Sequence, residues 1–134
     1  MPVKARIRFD FKAEPKGRRF FWQRCDLQET AKSLRAKKVS LLKSLPFQGV
    51  NVTDLDTHQE IYLIPNDAND QEVAYAPVEL TVEAESLEDL MQLTLREEFR
   101  KIKVMEPAEL RLSTADVERL LFRVTEEYRE EILE

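Results

Sequence analysis

The sequence predicts an α+β fold, in which one antiparallel or mixed sheet has helices packed on one face. The first observation is residues 78–83, which alternate apolar and acidic side chains as a half-buried strand does. The second is that an apolar-periodic helix and another strand follow directly, over residues 86–107. A strand–helix–strand crossover needs a neighbouring strand to complete its sheet, and the rest of the chain supplies candidates.

The chain opens with a strand. Residues 3–11 alternate, with Ala5, Ile7, Phe9 and Phe11 on one face and mostly basic side chains on the other. Residues 14–17 have the composition of a turn, so residues 18–25 are expected to return as the second strand of a hairpin.

A basic helix is expected next. Asp26 with Glu29 resembles an N-terminal cap, and Pro46 stops the helix. Lys38 interrupts the apolar stripe of this helix, so we expect the helix to bend or to be shorter than the stripe suggests. That stripe consists of Leu27, Ala31, Leu34, Leu41, Leu42 and Leu45. Residues 50–55 and 60–64 flank a turn at 56–59 and are predicted to form a second hairpin, followed by a loop over residues 65–72.

The crossover and a terminal helix complete the chain. Ser86 and Asp89 form a capping signature, and the helix stripe is Leu87, Leu90, Met91 and Leu95. The second strand ends at Pro107, and Ser113 or Thr114 caps a C-terminal helix. The apolar positions of that helix are Val117, Leu120, Leu121, Val124, Tyr128 and Ile132. These elements predict ferredoxin-like βαβ units and a C-terminal helix in a single domain of residues 1–134.

Residues 77–112 resemble a known module. The strand, the Ser-Leu-Glu-Asp-Leu helix and the segment 103–111 (KVMEPAELR) are similar to the C-terminal extension of bacterial WYL-domain transcriptional regulators. The resemblance implies a ferredoxin-like βαββαβ module with a regulatory role. The winged helix and the Trp-Tyr-Leu signature of that family have no counterpart here, and no functional residue is carried over.

Scarce residues argue against an enzyme. The chain has two glycines, one histidine (His58) and one cysteine (Cys25). Glycine-rich phosphate loops and zinc sites built mainly from Cys and His therefore lack their residues. A nucleophile–base pair of the usual kind would need His58 as its base, with Cys25 or a serine beside it. We expect no catalytic, cofactor or metal site, and His58 is expected to be a solvated turn residue. No apolar run is long enough for a membrane span, and one cysteine fits a reducing cytoplasm.

Two basic segments are candidate partner or nucleic-acid contacts. Aromatic and arginine side chains alternate in the first, where stacking on bases would combine with phosphate contacts, although packing in the core is the alternative. The second lies on the basic helix, where a solvated face is the alternative. The candidates are Arg18, Arg19, Trp22, Arg24, Lys32, Arg35 and Lys38.

Charge is unevenly distributed along the chain. Residues 1–45 hold thirteen Lys/Arg and four Asp/Glu, a net +9, whereas residues 46–134 hold eight and twenty-two, a net −14. Opposite patches on one chain favour self-association as a dimer. The sequence thus favours a small cytoplasmic regulatory or adaptor module that works through protein contacts. A nucleic-acid-binding protein that uses residues 1–45 is the alternative, and an enzyme with an unrecognised carboxylate site comes third.

Overall fold

The computed structural model describes residues 2–14, 23–44, 47–66 and 71–133, and the side chains of 23–26, 66, 71 and 130–133 lie outside that description. Within it, five strands and three helices follow one another along the chain. In order they are β1 (Val3–Ala13), α1 (Gln23–Ser44), β2 (Val50–Asp56), β3 (Tyr62–Asn66), β4 (Gln71–Ala84), α2 (Leu87–Thr94), β5 (Phe99–Glu106) and α3 (Thr114–Leu133).

The strands form one five-stranded antiparallel sheet. The order is β2-β4-β1-β5, and β3 also pairs with β4. Because β1 is antiparallel to both β4 and β5, the β4–α2–β5 connection crosses over β1 between two parallel strands. The β1–α1–β2 connection crosses over β4 in the same way. This is the ferredoxin-like arrangement, and the predicted α+β class is confirmed.

The core lies between one face of the sheet and two helices. Ile7 and Phe9 of β1 face Leu80 and Val78 of β4, and all four side chains are fully buried. Leu42 of α1 and two leucines of α2 join the same apolar cluster. Helix α3 packs against α2. The alternation in residues 3–11 therefore predicted the buried face correctly.

The predicted β2–β3 hairpin is wrong. Both strands pair with β4 along the same edge: β2 faces residues 79–84 and β3 faces residues 71–75. β3 pairs instead with β4, and these strands occupy residues 65–66 and 71–72 of the predicted loop 65–72; residues 67–70 lie outside the described part. Local turn residues did not reveal a partner that comes later in the chain.

Arg35 of α1 fills the interruption between β2 and β3. Its guanidinium donates one hydrogen bond to the Gln59 carbonyl (2.8 Å) and another to the Pro77 carbonyl (3.4 Å). A strand residue directs its nitrogen and its carbonyl to the same edge, so the Pro77 nitrogen also faces this interruption. Proline is accommodated in the long strand β4 because no ladder bond is required of it there.

Helix α1 begins earlier than expected. Residues 23–25 are helical rather than part of a returning strand, and Asp26 lies inside the helix, not at its cap. Residues 18–22 and Leu45 lie outside the described part. The helix runs unbroken through Lys38, and Leu41, predicted in the buried stripe, is exposed because Leu42 faces the core instead.

The later elements follow the sequence more closely. The Asp89 amide donates to the Ser86 hydroxyl (3.1 Å), which confirms the cap of α2, and Leu90 is buried. Leu95 is exposed because it is the C-terminal cap residue rather than part of the helix stripe. At α3 the cap is Ser113, whose hydroxyl accepts from the Asp116 amide at 3.1 Å.

Candidate functional site

The structure describes only part of the predicted contact set. Arg18, Arg19 and Trp22 lie outside the described residues, and Arg24 lies in the first turn of α1, where only its backbone is described. The predicted pairing of aromatic and arginine side chains on one surface therefore stays a prediction.

The basic residues of α1 make contacts within the chain. Lys32 lies 3.6 Å from the Glu29 carboxylate, and the Lys38 ammonium lies 5.9 Å from the centre of the Phe11 ring, which fits a cation–π contact. Arg35 is half-buried and bonded to two backbone carbonyls of the sheet edge. Arg35 thus has a clear structural task, which its position in a basic stretch did not reveal.

The sheet face opposite α1 and α2 carries charged side chains in two halves, and we call it the open sheet face. Its basic half lies on β1 and β5 and consists of Lys4, Arg6, Arg8, Lys101 and Lys103, with Glu106 opposite Lys4. Its acidic half lies on β4 and β2 and consists of Glu79, Glu83, Asp54 and Asp56. The strand register places most of these residues in two adjacent rows, Asp54–Thr81–Arg6–Lys103 and Asp56–Glu79–Arg8–Lys101.

Three charges of the open sheet face have local partners, and one of them is Glu79, whose carboxylate accepts from the Gln59 side-chain amide at 3.0 Å. The Arg8 guanidinium lies 2.8 Å from the Asp10 carboxylate, and this hydrogen bond raises the pKa of Arg8. The Asp56 carboxylate accepts from the His58 backbone N–H at 2.8 Å, which holds the pKa of Asp56 below its usual range. His58 itself is 94% exposed, as expected of a solvated turn residue.

Asp10 is the centre of a polar network beside the open sheet face. It is 3% exposed, although the sequence placed it on the wet side of β1. The Tyr62 hydroxyl donates to its carboxylate at 2.5 Å, and the Arg100 guanidinium lies 3.7 Å away. The pKa of Tyr62 is raised mainly by burial and, as the second cause, by the hydrogen bond to Asp10. Tyr62 also stacks on Tyr75 with 5.3 Å between ring centres, so the network braces β3 against β1 and β5.

Helix α3 exposes an apolar row that we call the α3 stripe: Val117, Leu121, Val124 and Tyr128. Their exposed fractions are 40%, 64%, 42% and 62%. The spacing of four, three and four residues is that of the a and d positions of a coiled coil, so the four side chains line one seam. The sequence predicted the stripe but not that it faces solvent.

The orientation of the α3 stripe is fixed by contacts on another side of the helix. Leu120 is half-buried, and the Arg119 guanidinium lies 3.5 Å from the Glu88 carboxylate of α2. A cavity of about 470 Å³ lies between the two helices, with Leu87, Leu110 and Leu120 in its wall. Because one side of α3 is held against α2, the stripe is held outward.

Two further observations concern the described residues only. No group of three or more His, Cys, Asp or Glu side chains in residues 2–14, 23–44, 47–66 and 71–133 is placed to hold a metal ion. Over the same ranges, no helix combines the length and the apolar character needed to cross a membrane.

Comparisons with known proteins leave the chain without a family. Neither protein-family models nor curated proteins nor solved structures match it. The resemblance of residues 77–112 to the extension of WYL-domain regulators therefore stays a prediction.

Proposed function

We propose that this chain is a non-enzymatic regulatory or adaptor module of the cytoplasm that works through protein contacts, as a dimer. The observation that carries the proposed protein contacts is the α3 stripe, an ordered apolar seam turned away from the core. The dimer rests on the opposite net charges of residues 1–45 and 46–134. The regulatory part rests on the resemblance of residues 77–112. The cytoplasmic part rests on a single cysteine, which cannot form an internal disulfide.

The α3 stripe has the form of a helix-docking surface. An amphipathic helix normally turns its apolar side to the core, and here Leu121 and Tyr128 are more than half exposed. Continuous exposed apolar area is typical of interaction sites on soluble proteins. A seam with coiled-coil spacing accepts a second helix, whose side chains insert between those of the first.

Charge indicates what kind of helix would bind. Helix α3 carries six carboxylate side chains and three arginines, and four of the carboxylates lie in its last eight residues. A second α3 would bring the same negative charge to the contact, and like charges across an interface oppose association. We therefore propose that the partner is an amphipathic helix of another protein with basic residues on both sides of its apolar stripe.

Two synthetic peptides test this choice. Both have leucine at every a and d position; one has lysine and the other glutamate at the flanking positions, and binding is measured by fluorescence anisotropy. We expect the lysine peptide to bind at least about 10-fold more tightly. Equal affinity for both peptides, or binding of neither, would contradict the proposed partner chemistry.

Phe122 supplies a matched control for the surface. It is 63% exposed, nearly the same as Leu121, but about 100° further around the helix and outside the seam. Leu121→Ser should weaken binding of the lysine peptide about 10-fold or more, whereas Phe122→Ser should leave it nearly unchanged. Equal losses in the two variants would place the binding surface elsewhere.

A pull-down from native lysate with the same two variants extends the test to natural partners. Proteins that wild type and Phe122→Ser capture, that Leu121→Ser loses, and that nuclease treatment leaves in place are the expected result. If nuclease removes all captured proteins, the alternative of nucleic-acid binding is favoured instead.

A further inference from the structure

The open sheet face places like charges side by side. Across the β1–β5 pairing Arg6 faces Lys103 and Arg8 faces Lys101, and across the β2–β4 pairing Asp56 faces Glu79. Like charges directly opposite on a sheet are destabilising. Within the described part of the chain, no carboxylate lies within 4.0 Å of the cationic groups of Arg6, Lys101 or Lys103. The β1–β4 pairing already sets Arg8 opposite Glu79 and Lys4 opposite Glu83. The outer strands, with Lys101 and Lys103 on β5 and Asp54 and Asp56 on β2, therefore gain most from a partner that brings the opposite charge to each half.

The geometry points to a second copy of this chain as the partner of the open sheet face. Two copies would pack face to face, related by a two-fold axis that runs parallel to β1 between β1 and β4. Such a rotation carries β5 of one copy over β2 of the other, and β1 of one copy over β4 of the other. The same patch is then used on both copies, as a two-fold interface requires.

This arrangement brings opposite charges together in each row. Lys103 of one copy lies over Asp54 of the other, and Lys101 lies over Asp56. In the same row as Lys101, Arg8 lies over Glu79, and at the end of the sheet Lys4 lies over Glu83. Each contact occurs twice in the dimer. A two-fold axis perpendicular to the strands would instead place acidic residues over acidic ones.

The dimensions of the face suit a dimer. Packed sheets lie about 10 Å apart, which the long side chains of Lys and Arg can span. Four strands over about eight residues give a flat area of about 19 Å by 27 Å. That area is about 500 Å² per copy, below the roughly 800 Å² of a standard interface and in the range of weak complexes, which agrees with a dimer that salt dissociates. Helices α1 and α2 lie on the opposite side and do not obstruct it.

A polyanion fits this face less well. Phosphates would meet Arg6, Arg8, Lys101 and Lys103, but the adjacent half carries Asp54, Asp56 and Glu79 and repels them. A second copy satisfies both halves. The inference rests on the self-association proposed above, and it uses a different surface from the α3 stripe, so either can fail without the other.

The test measures molar mass by light scattering after size exclusion, together with sedimentation velocity. We expect a dimer in about 0.05 M salt that dissociates in about 0.5 M salt, because screening weakens contacts between charges. In a homodimer, Lys101→Glu/Lys103→Glu brings carboxylates over Asp54 and Asp56, and Asp54→Lys/Asp56→Lys brings ammonium groups over Lys101 and Lys103. Each double variant alone should raise the dimer dissociation constant by about 100-fold or more.

Mixing the two double variants gives the decisive measurement. The new carboxylates of the first variant lie over the new ammonium groups of the second, so the two should form a heterodimer, although neither variant forms a homodimer. Lys37→Glu/Lys43→Glu on α1 is the control. It changes the net charge by the same amount as Lys101→Glu/Lys103→Glu but leaves the open sheet face intact, so it should remain dimeric. Circular dichroism verifies that each variant is folded.

The outcomes separate clearly. A wild-type monomer at about 100 µM and low salt overturns the inference, as does a dimer that both double variants retain or a mixture without a heterodimer. A nucleic-acid arm with a labelled oligonucleotide overturns the choice of partner if binding depends on Lys101 and Lys103 and displaces the dimer. Binding of the lysine peptide by a monomeric double variant would show that the α3 stripe works independently.

Discussion

Tyr62 is one of the donors to the buried Asp10 carboxylate, together with Arg8. Its hydroxyl bonds to the Asp10 carboxylate at 2.5 Å, and Asp10 is 3% exposed. Tyr62→Phe should lower the free energy of unfolding by about 1–3 kcal/mol, since a buried acceptor loses a partner. Urea unfolding measures the change. Tyr128→Phe, at a residue 62% exposed, is the control and should stay within about 0.5 kcal/mol; an equally small effect at Tyr62 would contradict the network.

Asp116 makes the stability of the N-terminus of α3 depend on pH. The Ser113 backbone N–H donates to its carboxylate (3.0 Å), and this bond holds the pKa of Asp116 below its usual range. The unfolded chain therefore binds the proton more readily, so the stabilisation is complete above about pH 4 and is lost as pH falls through the folded pKa. The difference in thermal midpoint between wild type and Asp116→Ala should shrink from pH 6 to pH 3. A difference that is constant or grows on acidification would contradict the prediction.

The sequence predicted the direction of the Asp10 side chain but not its burial. Alternation placed it on the wet face of β1, and its side chain does point to that face. Its burial comes from Tyr62 and Arg100, which lie far away in the sequence. Periodicity reports the direction of a side chain but not what a distant segment lays over it.

At the scale of elements, α2 depends on its buried leucines. Leu90 is 1% exposed and lies in the cluster between α2 and the sheet. Leu90→Ala should cost about 2–5 kcal/mol of stability, a large part of the roughly 5–15 kcal/mol that is typical of domains. Chemical denaturation gives the value, with Leu121→Ala as the exposed control, expected within about 0.5 kcal/mol. An unchanged midpoint for Leu90→Ala would mean that the helix face is wrongly assigned.

Elements with a local signal were predictable. The alternation of β1, the Ser86 cap of α2 and the apolar period of α3 are each written within about a dozen residues. The strands β2 and β3 were predicted over residues 50–55 and 60–64, but their pairing was not, because both pair with β4, which lies later in the chain. The open sheet face depends on register in the same way: the sequence shows its charges but not which of them become neighbours.

At the scale of the whole molecule, the net charge of −5 opposes binding of a polyanion. We expect single-stranded oligonucleotides to bind weakly and only at low salt, through the basic residues of the N-terminal third. Fluorescence anisotropy measures this, with Arg18, Arg19 and Arg24 changed to glutamine in one variant and Lys32, Arg35 and Lys38 in another. Tight binding at about 0.15 M salt would contradict the expectation and favour a nucleic-acid function.

The interruption between β2 and β3 has a consequence for solubility. Between the two pairing regions, the backbone groups that β4 turns outward belong to Pro77, whose nitrogen has no hydrogen and whose carbonyl already accepts from Arg35. An incoming strand would find neither a donor nor a free acceptor at this position. The edge-to-edge strand pairing through which sheets aggregate is therefore blocked at this gap. Arg35→Ala would leave the Pro77 carbonyl free to accept a hydrogen bond from an incoming strand.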